Sequence, residues 1–178
     1  MKNFMKKITL VALAFVAFSC STDEELKSLK PVTIVEVAKA TPNLSLFVQA
    51  LEITGLTETF ENPGNYTVFV PDNAAFTNLL TALGVSNLDQ VDPALLADVL
   101  SYHVVGSEAL SSDLSDGQMV TTLFGQDVTF NIDTTTGEVT ITDGNTNTTD
   151  ASVYAFDIDC TNGIIHRIDT VMLPNLGS

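Results

Sequence analysis

The chain has 178 residues, of which 22 are Asp or Glu and only 7 are Lys or Arg, for a formal net charge of -15. Phosphate backbones are held by clustered Lys and Arg, so this balance argues against nucleic acid as a partner and leaves divalent cations as the natural bridge to other acidic surfaces. The length suits one ordinary domain with a real core, and two cysteines allow at most one internal disulfide.

Lys2, Lys6 and Lys7 precede an apolar run from Ile8 to Phe18 that ends at Ser19-Cys20. A basic start, about a dozen apolar residues and a small residue before the break mark a secretory signal, whereas a spanning helix needs about 20. Because Cys20 follows at once, trailed by Ser21-Thr22-Asp23-Glu24-Glu25, the segment resembles a bacterial lipoprotein signal, with Ala17 where Leu is usual. That resemblance implies a mature chain starting at an acylated Cys20, its attachment to membrane lipid stabilised by about 0.8 kcal/mol per buried methylene. Ser21 fits sorting to the outer membrane, and Asp23-Glu24-Glu25 resembles the surface-export signals of some Gram-negative lipoproteins. The expected organisation is a signal over 1–19, a lipidated start and tether over 20–31, a domain over 32–174 and a tail over 175–178. Removing the three signal lysines deepens the net charge from -15 to -18. With Cys20 acylated, Cys160 has no partner, and stability must come from packing.

Helical signals come first. Thr33 with Glu36 reads as a capping box opening a helix over Ile34 to Ala40, and Thr41-Pro42 restarts a second helix carrying Leu44, Phe47, Val48 and Leu51 up to Gly55. Tyr66 to Val70 is β-branched and aromatic, a strand ended by Pro71. Asp72 or Asn73 then caps a helix with the stripe Phe76, Leu79, Leu80 and Leu83, stopped by Gly84. Asp92 and Pro93 open a further helix whose stripe is Leu95, Leu96, Val99, Leu100 and His103.

From Met119 the period changes to alternation. Val128, Phe130 and Ile132 share a face, as do Val139 and Ile141, with Gly125 and Gly137 at turns. A polar loop from Asp143 to Asp150 leads into a strand from Val153 to Cys160. There Cys160 alternates with Tyr154, Phe156 and Ile158 and reads as an inert core thiol. Asn162-Gly163 turns the chain into a last strand, Ile164 to Leu173. Helices first and strands later indicate an α+β domain without internal repeats.

Three segments resemble the hallmarks of fasciclin domains: Tyr66-Thr-Val-Phe-Val-Pro71-Asp72-Asn73-Ala-Ala-Phe76, then Tyr102-His103-Val-Val, then Asn162-Gly163-Ile-Ile-His166-Arg-Ile-Asp169-Thr-Val-Met-Leu-Pro174. The chain departs from the family pattern at Asp72 for Thr, Val70 for Ala, Arg167 for an apolar residue and Met172 for Leu. The resemblance implies a compact β-wedge or β-sandwich of about seven strands with helices packed at one edge. It also implies an extracellular or membrane-anchored adhesion module. In animal members the Tyr-His pair contributes to integrin binding, which makes Tyr102 and His103 a candidate binding or structural motif. Pro71, Asp72, Asn73, Phe76, Asn162, Gly163, His166 and Asp169 are expected to be structural.

No catalytic set is expected. His103 and His166 both fall on apolar faces, where a buried imidazole is neutral and hydrogen-bonded, and no Gly-x-Ser-x-Gly segment is present. Asp143-Gly-Asn145-Thr-Asn147 starts like a calcium loop, but an EF-hand needs Gly at the sixth position and Glu at the twelfth, where Thr148 and Tyr154 stand. A turn-forming loop is the reading, with weak calcium binding by scattered acids and self-association left open. Asp133-Thr134-Thr135 and Asp169-Thr170-Val171 resemble an O-glycosylation pattern of some Gram-negative envelope proteins; Thr134 falls in a hairpin loop and Thr170 in a strand. The expected function is a non-catalytic, lipid-anchored envelope module at the outer membrane or cell surface, binding a surface protein or glycan without a cofactor. The alternatives are a ligand-sequestering or carbohydrate-processing accessory enzyme and a purely structural envelope protein.

Overall fold

The structure is a computed structural model that describes residues 32–145 and 149–176. Cys20 with its signal and tether, the loop residues Thr146, Asn147 and Thr148, and residues 177–178 lie outside the described residues.

Helix α1 (Ile34–Ala40) opens on both halves of the capping box, with Glu36 N–H donating to Thr33 Oγ1 at 3.3 Å and Thr33 N–H to Glu36 Oε2 at 3.0 Å. Pro42 starts a 3₁₀ turn that runs into α2 (Ser45–Thr54), which Gly55 closes in the left-handed region. The sequence reading missed α3 (Thr57–Glu61), which is too short to show a helical period. Helices α4 (Asn73–Leu83) and α5 (Pro93–Tyr102) begin where expected, capped by Asp72 and Asp92. Leu83, expected on the buried stripe of α4, is 44% exposed. The helical period puts it on the right face, but that face runs past the elements that cover it.

The strands are β1 (Tyr66–Pro71), β2 (Val104–Val105), β3 (Met119–Thr121), β4 (Asp127–Ile132), β5 (Val139–Thr142), β6 (Ala151–Cys160) and β7 (Gly163–Ile168). They form one sheet in the order β2-β1-β7-β6-β5-β4-β3, with β1 and β7 parallel and the other pairs antiparallel. Just beyond β3, Leu123 N–H donates to the Val104 carbonyl at 2.7 Å, so the sheet curls until its two edges meet. The α+β class, the seven strands and the leading helices agree with the sequence reading.

Two expectations are corrected. The last strand ends at Ile168 rather than Leu173, because the Asp169 carboxylate accepts the Ser152 N–H at 2.9 Å and the Thr170 hydroxyl at 3.0 Å, turning the chain into a bend. Thr170 therefore lies in that bend and not in a strand. Strand β6 carries register shifts between Val153 and Ile158, and Asp157 has a φ of 54°. Each shift flips the faces that follow it. Tyr154 is consequently exposed, Phe156 packs on one core, and Ile158 and Cys160 pack on the other. Half-burial, with Asp159 adding, pushes the Cys160 thiol up to about 11, so it is not a thiolate at neutral pH.

Two cores lie on opposite faces of the sheet. One joins the helices to Val68, Val70 and Ile165; the other fills the inside of the curl with Phe69, Tyr102, Phe130, Ile141 and Ile168. Strands β1 and β7 serve both, which is why they read as nearly continuous apolar runs.

Candidate functional site

His103 caps the end of α5 at 1% exposure and spends both ring nitrogens. Its Nδ1 lies 2.7 Å from the Val99 carbonyl and its Nε2 3.0 Å from the Met172 amide nitrogen. Since an amide can only donate, Nε2 is the acceptor and Nδ1 carries the hydrogen. Burial pushes the imidazole down to about 4, against the opposing pull of the Val99 bond and Asp143. Its neighbour Tyr102 is fully buried, donates its hydroxyl to the Asp127 carbonyl at 3.1 Å and accepts the Gly144 N–H at 2.9 Å. Burial, with Asp143 and Asp127 adding, raises the phenol above its ordinary value despite the Gly144 bond. The Tyr-His pair thus faces the interior.

His166 is also buried, stacked on Phe69 with ring centroids 5.5 Å apart and met edge-on by Phe156 at 5.9 Å. Its Nε2 donates to the Ala109 carbonyl at 2.9 Å and its Nδ1 accepts the Asp157 N–H at 3.3 Å. Burial lowers this imidazole, outweighing Ala109 and Asp157. The Asp157 carboxylate accepts the N–H of Ser111 at 2.8 Å and also its hydroxyl. Burial pushes the Asp157 carboxyl up, but the Ser111 bonds and His166 outweigh it, and it lies below its ordinary value. Ser, Asp and His do meet here, yet the serine bonds the carboxylate instead of the imidazole. The imidazole is therefore not in the position that a Ser-His-Asp triad gives it. Sequence reasoning missed Asp157, whose only signal is an Asp inside an otherwise alternating strand, a position open to a bulge.

The remaining hallmark residues cross-link elements. Asn162, 1% exposed, accepts the Ile34 N–H at 3.0 Å and donates to the Phe60 and Asn62 carbonyls at 2.6 and 3.1 Å. It thereby joins the start of α1 and the end of α3 to the β6–β7 turn. Gly163 follows with a φ of 147°, its Cα packed against the backbone of Tyr66. Asp72 Oδ1 accepts the Ala75 N–H at 2.9 Å and Oδ2 the Tyr154 hydroxyl at 3.3 Å. Asn73 is the first residue of α4 rather than its cap; it accepts the Leu46 N–H at 3.0 Å and donates to the Pro42 carbonyl at 3.1 Å, tying α4 to α2. Pro71 is buried at the end of β1 and Phe76 is fully buried in the helical core. Arg167 lays its guanidinium 5.1 Å from the centre of the Tyr154 ring, a cation–π contact that explains how this position accepts a charge.

Asn162→Ala should therefore cost about 3 kcal/mol, since it orphans a buried N–H and two carbonyls at about 1–3 kcal/mol for each group left dry. Urea denaturation measures it; a loss under about 1 kcal/mol would show that water replaces the amide.

Two outward features complete the picture. Thr134 is exposed in the β4–β5 turn, where Asp133 accepts the Thr135 and Thr136 amides at 2.7 and 3.3 Å, bonds that lower its carboxyl. Beside that turn an open groove of about 360 Å³ is lined by Asp116, Asn131, Asp133 and Glu138 among others, with no histidine. Among the described residues no group of three or more His, Cys, Asp or Glu is placed to hold a metal, and no helix is long and apolar enough to cross a membrane.

A model of the fasciclin domain matches residues 42–174. The chain belongs to the fasciclin-domain family. Among its fasciclin relatives, Protein sll1483 of Synechocystis sp. is 34% identical over 143 residues, which cover 80% of this chain and 74% of that protein. Cell surface glycolipoprotein MPB83 of Mycobacterium bovis is 32% identical, with 79% of this chain and 60% of that protein covered. Transforming growth factor-beta-induced protein ig-h3 of Sus scrofa is 35% identical over 80% of this chain, which spans only 19% of that protein. Among solved structures, a FAS1 domain pair from the insect cell adhesion molecule Fasciclin I superposes with a TM-score of 0.66 at 20% identity, covering 81% of this chain and 51% of that one. In this chain the first and last hallmark segments lie side by side as the parallel β1–β7 pair.

Proposed function

We propose that this fasciclin chain is a lipid-anchored interaction module of the bacterial envelope that binds a surface protein or a glycan without catalysis. The observation that carries the reading is the full use of the ring nitrogens of His103 and His166 in internal hydrogen bonds, which supports adhesion over acid–base chemistry as the role of this fasciclin domain. Relatives named for a cell surface or cell adhesion support it. The acidic groove would serve the accessory-enzyme alternative only with a nucleophile and a carboxylate free to act on substrate. Its Asp116 and Asp133 already accept the backbone amides of Ile132 and Thr135.

Attachment would run through Cys20, with the outer membrane or cell surface as destination. Cys20→Ala is expected to abolish fatty-acid labelling and release the protein from the membrane fraction; a variant that still labels would overturn the anchor. Anchoring displays many copies, so weak contacts add through multivalency. The monomeric domain should bind in the micromolar range or weaker, about -8 kcal/mol at best, while bead-displayed copies of residues 31–178 should hold cells or glycans far longer on a binding array. Equal retention of monomer and multimer would count against the reading, as would turnover of ester, glycoside or phosphate substrates that vanishes on changing either histidine. Thr134 is the proposed site of O-glycosylation, supported by its exposure at a hairpin tip. A Thr134→Val variant should lose the added mass. Weak calcium binding by scattered surface acids, and self-association, are secondary proposals that calorimetry and sedimentation would test.

A further inference from the structure

After β7 the backbone leaves the sheet as residues 171–176, with Met172 buried in the inner core with Tyr102 and Ile168, and Val171 and Leu173 packed on the helical core. Three amides of this segment donate to side chains from three separate places. Met172 N–H donates to His103 Nε2 at 3.0 Å, Leu173 N–H to Asp143 Oδ2 at 2.8 Å, and Asn175 N–H to Gln126 Oε1 at 2.9 Å. Gln126 Nε2 in turn donates to the Asn175 carbonyl at 2.6 Å. Strand ladders use backbone carbonyls, which do not titrate; the His103 acceptor of the Met172 amide does.

We propose that residues 171–176 form an acid-released strap: protonation of His103 withdraws the acceptor of the Met172 amide, and the strap lifts from the cores it covers while the sheet stays folded. This inference stands apart from the adhesion reading and from the identity of any ligand.

The chemistry follows from the tautomer. With Nδ1–H already committed to the Val99 carbonyl, a second proton can enter the imidazole only at Nε2, where it meets the Met172 N–H head to head. The ionisable groups around His103 are Asp143, on the segment after β5, and, through the Asp143 side, Tyr102 and Asp127. Tyr102 is raised and stays neutral throughout acid conditions. Burial holds the folded imidazole at about 4, below its ordinary 6.5. The unfolded or released state therefore binds the proton more readily, so the strap contact is complete above about pH 6.5 and is lost as pH falls through about 4. His166 faces Asp157 and Ala109 elsewhere in the fold and serves as an internal control. Release uncovers the site of Met172, an apolar opening at Tyr102 on an otherwise acidic protein.

Amide hydrogen exchange of the mature chain, corrected for intrinsic rates and run from pH 7 to pH 4 alongside the His103 ring resonances, tests the strap. Exchange at Met172 and Leu173 should rise about tenfold relative to Phe130 and Ile165, in step with the titration of His103. His103→Gln, which keeps a neutral acceptor, should remove that step. Should this variant fail to fold, Gln126→Ala cuts the Asn175 clamp alone and should raise strap exchange about tenfold at pH 7 with the sheet amides unmoved. Strap and sheet amides rising together, strap exchange flat across the range, or a Gln126→Ala strap as protected as wild type would overturn the proposal.

Discussion

Gly163→Ala is expected to abolish the cooperative folding transition, or to destabilise the domain by more than about 4 kcal/mol. A Cβ at this position would stand inside contact distance of the Tyr66 carbonyl oxygen and 2.7 Å from the Tyr66 nitrogen. The obstructing atoms are backbone, and no side chain can swing aside. Tyr66↔Gly163 is also the first rung of the parallel β1–β7 pairing, so relief must move a strand that serves both cores. The φ of 147° adds strain for any L residue. Gly137→Ala is the control: its φ of 75° carries strain, but nothing lies within 4 Å of the added methyl, and the cost should stay at about 1–2 kcal/mol. Urea denaturation followed by circular dichroism compares the two. Equal losses would show that Gly163 is needed for its turn conformation alone and that the two strands tolerate separation.

Local features of the fold were legible because their causes are local. Thr33 and Glu36 form a capping box within four residues, and Pro93 presets the first turn of α5; both appear as read. What escaped notice depends on residues far apart in the chain. Asn162 reads as an ordinary turn residue, yet its partner Ile34 lies 128 positions away and Phe60 lies 102 away. Nothing in its neighbours announces the cross-link. Strand β2 has two residues, too few for a period, and is defined only by its pairing with Thr67 and Val68. The β6 alternation misled for a related reason: the bulge at Asp157 exists because its carboxylate and amide are claimed by Ser111 and His166, and without that knowledge an unbroken alternating strand is the simplest reading.

The hallmark residues share a physical logic. Asp72, Asn73, His103, Asn162 and Asp169 each carry a polar side chain that satisfies backbone groups near the ends of secondary elements, and His166 does the same at the β6 bulge. A curled sheet covered by short helices has many such ends, and its buried amides and carbonyls need partners. Polar residues that look functional in the sequence, being isolated among apolar neighbours, are thus the ones that close these ends. Tyr154, Met119 and Leu123 stand outside this set as exposed large side chains.

His103→Asp should lower stability by about 3–5 kcal/mol or more. The imidazole is buried to 1% exposure and donates to the Val99 carbonyl; an aspartate there keeps an acceptor but offers that carbonyl no donor unless it is protonated. If ionised, it brings a buried negative charge near Asp143, whose effect on His103 is already electrostatic. His166→Asp should also destabilise the domain, losing the donor to Ala109 and the stacking on Phe69. Thermal melting of the two variants, with binding assayed only below each transition, separates structure from contact. A wild-type melting temperature for His103→Asp, together with lost binding, would place the imidazole at the surface and make the Tyr102-His103 pair a contact motif instead of an internal brace.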